Sequence, residues 1–171
     1  MCPSASAASS VSKILAMKRG DARELAVHLI YGRIFTGEEP EQVVTTRLEK
    51  EYYEKLGTEN EVYAERPSRV QLRYIDGVVS GVANREEELN EQIQKFSIGW
   101  DISRISKLAR CILQLAIYEI LYVEDVPTGV AVSEAVRIAK KYDGDDTGAF
   151  INGILGSFAR SLEAPAAEAT E

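Results

Sequence analysis

Trp100-Asp101-Ile102-Ser103-Arg104 opens the stretch whose reading decides the fold. It runs into Leu113-Gln114-Leu115-Ala116-Ile117-Tyr118-Glu119-Ile120-Leu121 and turns at Asp125-Val126-Pro127. It resumes as Val130-Ala131-Val132-Ser133-Glu134-Ala135-Val136-Arg137-Ile138-Ala139-Lys140-Lys141-Tyr142 and closes on Phe150-Ile151-Asn152-Gly153-Ile154-Leu155, fading at Leu162. Ile105, Leu108, Ile112, Leu115 and Leu121 form the broad apolar face of one helix, which Asp101 or Ser103 can cap. Pro127 ends that run. Val132, Ala135, Val136 and Ala139 stripe a second helix, and Lys140 and Lys141 suit the negative end of its dipole. Asp143-Gly144-Asp145-Asp146-Thr147-Gly148 reads as an acidic turn, and Ile151, Ile154, Leu155, Phe158 and Leu162 as the buried side of a third helix. The stretch predicts three packed helices.

Working back toward the N-terminus, helical spacing persists. Ala22, Leu25, Ala26, Leu29 and Ile30 stripe a helix from about Arg19 to Phe35, with Gly37 placed as its terminator. Pro40 starts a second, whose inward face is Val44, Leu48, Tyr52 and Leu56. A polar loop, Gly57 to Pro67, follows. Ser68-Arg69-Val70-Gln71 has the spacing of a capping box, and Leu72, Ile75, Val79, Val82, Leu89 and Ile93 carry one helix to about Phe96. Gly77 and Gly81 weaken that helix, which predicts close approach of a neighbour. No strand alternation and no repeat is found, so the fold class is all-α. Residues 1–16 are rich in Ser and Ala and lack a core stripe. They are expected to be disordered, as is everything after Ala164, and Met17 is a candidate start.

The 171 residues suffice for one domain or two fused subdomains with a real core. A hydrophobic fraction of 45% and a charged fraction of 27% fit a soluble globular chain, and no apolar run is long enough to span a membrane. Residues 1–16 lack the pattern of a secretory signal, so a cytoplasmic protein is expected. Cys2 and Cys111, one in a tail and one in an apolar helix, predict neither a disulfide nor a metal site. The net charge is −7, unevenly spread. Residues 1–36 hold five Lys/Arg against Asp21 and Glu24, while residues 37–171 carry the acidic surplus. One basic patch on an acidic body would bind RNA weakly and in a salt-sensitive way.

Catalytic chemistry finds no support. His28 is the single histidine, and triad, zinc and di-iron arrangements need partners it lacks. Asp143, Asp145 and Asp146 resemble the start of a calcium loop, but position twelve holds Ile154 where a bidentate Glu is required. Glu119 and Glu134 read as hydrogen-bonded structural carboxylates. No enzyme, cofactor or metal is expected. Two aromatics are better candidates. Tyr31 lies beside His28 on the flank of the first helix, and Phe150 lies near the start of the last. Each can stack an unpaired base, or can simply cap the edge of the core; periodicity alone weighs toward the second.

The order of these pieces resembles the NusB family of bacterial transcription antitermination factors. The matching residues are Ala22-Arg23-Glu24 with Tyr31, Leu115-Ala116-Ile117-Tyr118-Glu119, Asp125-Val126-Pro127, Val130 to Tyr142, and Phe150-Ile151-Asn152-Gly153-Ile154-Leu155. The resemblance covers about residues 18–162 and is specific in the C-terminal half; residues 37–97 match only in helical pattern. It implies an all-α, NusB-like fold of about seven helices in two fused subdomains, 18–97 and 98–163, between tails 1–17 and 164–171. It implies a factor without catalytic activity that binds boxA-type single-stranded RNA of ribosomal-RNA leaders together with the ribosomal protein NusE. The pair would join the RNA polymerase antitermination complex, and the free protein is a candidate homodimer.

By position, Lys18, Arg19 and Arg23 fall in the family's arginine-rich start, and His28 and Tyr31 on its RNA-facing flank. Asp146, Thr147 and Phe150 fall at its second RNA contact, which raises the stacking reading of Tyr31 and Phe150. The chain departs from the pattern at Gly20, Asp21, Gln114, Ser133 and Ala149. These changes bear on its own RNA affinity, which is expected to depend more heavily on a basic NusE-like partner seated on the acidic body. Two alternatives remain: a helical protein-interaction module without RNA binding, and a stand-alone relative of the domain preceding ribosomal-RNA cytosine methyltransferases.

Overall fold

The computed structural model describes residues 17–164, among which there are eight α-helices, two short 3-10 turns and no strand. The expected tails at 1–16 and 165–171 lie outside the described residues. Met17, expected with the N-terminal tail, is buried, and its carbonyl accepts a hydrogen bond from Gln71 Nε2 at 3.3 Å. The described chain forms two compact units, one up to Ser80 and one from Gly81.

In the first unit, α1 (Arg19–Thr36) buries Ala22, Leu25, Ala26, Leu29 and Ile30, the five stripe positions. It ends at Gly37, whose N–H bonds the carbonyl of Arg33. The expected second helix is broken in two. Pro40 opens α2 (Pro40–Arg47), where Glu39 and Gln42 form a reciprocal capping box. The chain then restarts as α3 (Lys50–Gly57), because the Glu49 carboxylate accepts the backbone N–H groups of Glu51 and Tyr52. The restart changes the helical phase. Tyr52, expected inside, is 42% exposed, and its neighbour Tyr53 is buried instead, its hydroxyl donating to the Glu65 carbonyl at 2.8 Å. A 3-10 turn (Glu61–Tyr63) sets Tyr63 edge-on to Tyr53 at 5.3 Å between ring centroids.

The single helix expected over Ser68–Phe96 is also two, α4 (Arg69–Asn84) and α5 (Glu86–Phe96). Ser68 Oγ accepts from Gln71 N as expected of a cap. The break falls at Arg85, whose ψ of 23° leaves the helical range. Three successive acids, Glu86, Glu87 and Glu88, then fill the first turn of α5, where the helix dipole favours negative charge. The close approach expected at Gly77 is absent, since open space faces it, while Gly81 lies directly against the Tyr118 ring.

In the second unit, α6 (Lys107–Tyr122) is buried without interruption from Cys111 to Ile117, so it is covered on every side. α5, α7 (Thr128–Asp143) and α8 (Asp145–Glu163) all pack on it. Gln114 is buried and donates to Asn90 Oδ1 of α5 at 2.8 Å, which satisfies its amide inside the core. Phe96 meets Phe158 edge-on and ties α5 to α8. The cap of α6 is Ser106, not Asp101 or Ser103; Asp101 caps the 3-10 turn Ile102–Arg104. The predicted acidic turn shrinks to Gly144 alone, because Asp145 and Asp146 already form the first turn of α8. Leu121 and Leu162, expected inside, are exposed; each lies in the last turn of its helix.

Candidate nucleic-acid interface

Charge at the start of α1 is more constrained than the sequence suggests. Lys18 is exposed at the N-cap. Arg19 lays its guanidinium on the Tyr74 ring, 3.8 Å from the centroid, a cation–π contact that fixes the head group of a half-buried residue. Arg23 is 3% exposed and lies 6.0 Å from the same ring. Its expected role at a phosphate is corrected, since a buried guanidinium has no surface to offer one.

His28 is half-buried, with Nδ1 3.0 Å from the Tyr63 hydroxyl. Arg47 donates to that hydroxyl at 2.9 Å, so the phenol joins the histidine to a cation. Burial raises the Tyr63 pKa, and Arg47 works against that rise. The histidine is therefore held through Nδ1 by the interior of the first unit. Tyr31 is half-exposed and edge-on to Phe35, one helical turn further, at 5.1 Å. Phe35 is 62% exposed, with Ile34 beside it also exposed. The pair forms an aromatic surface, of which sequence reasoning found only Tyr31.

In the second unit the sequence-predicted residues converge. Asp146, Thr147 and Phe150, on the first two turns of α8, line one groove of about 330 Å³ with Trp100, Arg104, Ser106 and Asp143. Asp143 Oδ2 accepts from Thr147 Oγ1 at 3.0 Å and from Ser106 Oγ at 3.3 Å, joining α7, α8 and the start of α6. Trp100 meets Phe150 at 6.1 Å between centroids with planes 68° apart. The Trp100 loop is pinned to α5: Gln94 Nε2 donates to the Trp100 carbonyl at 3.0 Å, and Gln94 Oε1 accepts from Ile102 N at 2.9 Å. Hydrogen bonds from Ser103 and the charge of Arg104 hold the Asp101 carboxyl below its ordinary range.

Sequence reasoning missed Trp100 and Arg104 as site residues. The available signal was the chain's only tryptophan next to Gly99 and Asp101, a polar setting for the largest apolar side chain. A larger groove of about 760 Å³ runs along α7 and α8, but small and charged side chains line it and no aromatic does. It offers a base nothing to stack on.

These observations define a class: an all-helical protein in two units, bearing aromatic and charged surface clusters. The model of the NusB family matches residues 20–160. A transcription antitermination protein NusB of Acetivibrio thermocellus is 41% identical over 140 residues, covering 82% of this chain and 87% of the relative. That of Symbiobacterium thermophilum is 35% identical over 150 residues, covering 88% and 94%. The chain belongs to the NusB family. Among solved structures, T. maritima NusB aligns with a TM-score of 0.68 at 26% identity over 84% of this chain and 92% of that one. A crystal structure of the antitermination factors NusB and NusE in complex with dsRNA shares the fold, with a TM-score of 0.67 at 23% identity over 84% and 96%. Among the described residues no helix is long and apolar enough to cross a membrane.

Proposed function

We propose that this protein is a transcription antitermination factor that binds boxA-type single-stranded RNA of ribosomal-RNA leaders together with the ribosomal protein NusE. The pair would join the RNA polymerase antitermination complex in the cytoplasm, and the protein contributes binding, not catalysis. The relatives are named for transcription antitermination, and one structure of the same fold holds NusB and NusE in complex with dsRNA. The observation that carries the reading is the convergence of Asp146, Thr147 and Phe150 on one groove.

Lys18 and Arg19 meet phosphates, and Tyr31 and Phe150 stack unpaired bases. Asp146, an acceptor when ionised, and Thr147, a donor and acceptor, address base edges beside Phe150. His28 keeps its place by positioning: its bond to Tyr63 braces the helix face that carries Tyr31. The acidic surplus of residues 37–171 suits a basic NusE surface.

Binding of a boxA-type RNA, with and without NusE and at two salt concentrations, tests this. Tight, salt-sensitive binding that needs both proteins is expected. Tyr31→Ala combined with Phe150→Ala should weaken it by about ten-fold or more per ring, since a stacked base contributes about 1–3 kcal/mol. Unchanged affinity of that double variant would refute the assignment. The acidic body also supports a second reading, a protein-interaction module, which NusE binding without any gain in RNA affinity would favour.

A further inference from the structure

We propose that Trp100 is the second stacking ring of the Phe150 groove and Arg104 its phosphate-binding cation, so that the groove holds one nucleotide of single-stranded RNA. The inference rests on the RNA-binding reading above and deepens it.

Trp100 is 54% exposed although it is the chain's largest apolar side chain. A solvent-facing indole is a known attribute of binding surfaces, where its wide, stiff ring adds contact at small entropic cost. Its backbone is not loose. Besides the two Gln94 bonds, Trp100 N–H donates to the Ser97 carbonyl at 3.0 Å, so the ring is presented from a pinned loop. The 68° angle between Trp100 and Phe150 makes a corner. A base lying on one ring turns its edge to the other, the two geometries that aromatic pairs prefer. At about 330 Å³ the groove stands at the low end of small-ligand pockets, which suits one nucleotide and not a helix or duplex.

Charge orients the occupant. Asp143 and Asp146 occupy the α7–α8 side of the groove and would repel a phosphate there. Arg104, exposed, is the groove's one cation, and its acidic neighbour Asp101 already accepts the Ser103 N–H at 2.8 Å. A base on the Trp100–Phe150 corner with its phosphate toward Arg104 separates these charges.

Trp100 also supplies its own reporter, as the chain holds no other tryptophan. The full chain with NusE is titrated with a fluorophore-labelled boxA-type RNA. Indole emission and RNA anisotropy are followed together, with Trp100→Phe as the blank for any NusE signal. Emission should fall in step with anisotropy. Trp100→Ala should lose about ten-fold or more in affinity, and Trp100→Phe should recover most of it. Arg104→Ala should weaken binding and lower the salt slope by about 0.7, the single-strand increment per phosphate contact, and Arg104→Lys should restore the slope. RNA that binds by anisotropy with Trp100 emission unchanged, or Arg104→Ala with an unaltered slope, would overturn the inference and leave the proposed function standing. Absence of RNA binding by the unmodified complex would remove the proposed function itself, and this inference with it.

Discussion

The backbone of Gly81 lies directly against the ring of Tyr118, so closely that a Cβ on residue 81 would occupy the space of the phenol. Gly77, one turn earlier on the same helix, faces open space. The two glycines look alike in sequence and should respond oppositely to one change. Gly81→Ala forces ring or backbone to move and should cost about 1–3 kcal/mol. Gly77→Ala, at an exposed helical position, should stabilise by up to about 1 kcal/mol. Urea midpoints of the two variants check this; a neutral Gly81→Ala would contradict the packing described.

Alkaline pH should expose the buried phenols. Burial raises the pKa of both Tyr53 and Tyr63. An unfolded tyrosine ionises near pH 10, so above that value the native state keeps protons that the unfolded chain has lost. The stabilisation is complete below pH ~10 and declines as pH rises toward the folded values. Chemical unfolding at about pH 8 and about pH 10.5 should show this loss, and Tyr63→Phe should lessen it. An identical loss in Tyr63→Phe would mean that Tyr63 is not a source.

Two basic residues of α1 and its cap should separate in their effects. Lys18 is exposed and Arg23 is buried. Lys18→Ala should leave the melting temperature unchanged and reduce the salt slope of RNA binding by about 0.7. Arg23→Ala should destabilise by about 2 kcal/mol or more through the packing lost at a buried side chain, with the salt slope intact. A reduced slope in a stably folded Arg23→Ala protein would return that residue to the interface.

Cys111 is fully buried in α6, and burial pushes its thiol up to about 12. Only the thiolate reacts readily, so the native thiol should be inert to a disulfide reagent at neutral pH and react on unfolding. In a Cys2→Ser background, labelling should track the unfolded fraction in urea. Rapid labelling of native protein would show that α6 opens locally.

The helices that obey a single period were legible in the sequence, as α1 and the interior of α8 show; in α7 the buried face is Ala131, Ala135, Ile138 and Ala139, so only two of the four stripe positions lie inside. The breaks at Glu49 and Arg85 were not. Neither carries proline or glycine; one is made by a carboxylate folding back onto N–H groups and the other by three successive acids, weaker signals than an unbroken apolar stripe. A stripe read across such a break assigns the wrong face: the period points to Tyr52, while the restarted helix buries Tyr53. At the candidate site, Asp146, Thr147 and Phe150 were legible through resemblance. Trp100 and Arg104 were not, because only the folded loop brings them to Phe150. Arg23 shows the converse: its charge is visible in the sequence, but its burial arises only in the fold, where it lies beside Tyr74, about fifty residues away in the chain.

Gly144 is the entire connection between α7 and α8, with φ 90° and ψ 175°, a conformation nearly confined to glycine. Closing so short a joint forfeits little chain entropy, and hairpins rich in local contacts form early. Asp143, Asp146, Thr147 and Phe150 all lie within two turns of that joint. One wall of the groove therefore takes shape from neighbours in sequence, whereas the other waits for the Trp100 loop to dock. In stopped-flow refolding, helical circular dichroism should rise before Trp100 emission settles; simultaneous signals would refute this order. The site would then be completed by the chain's own late-arriving indole.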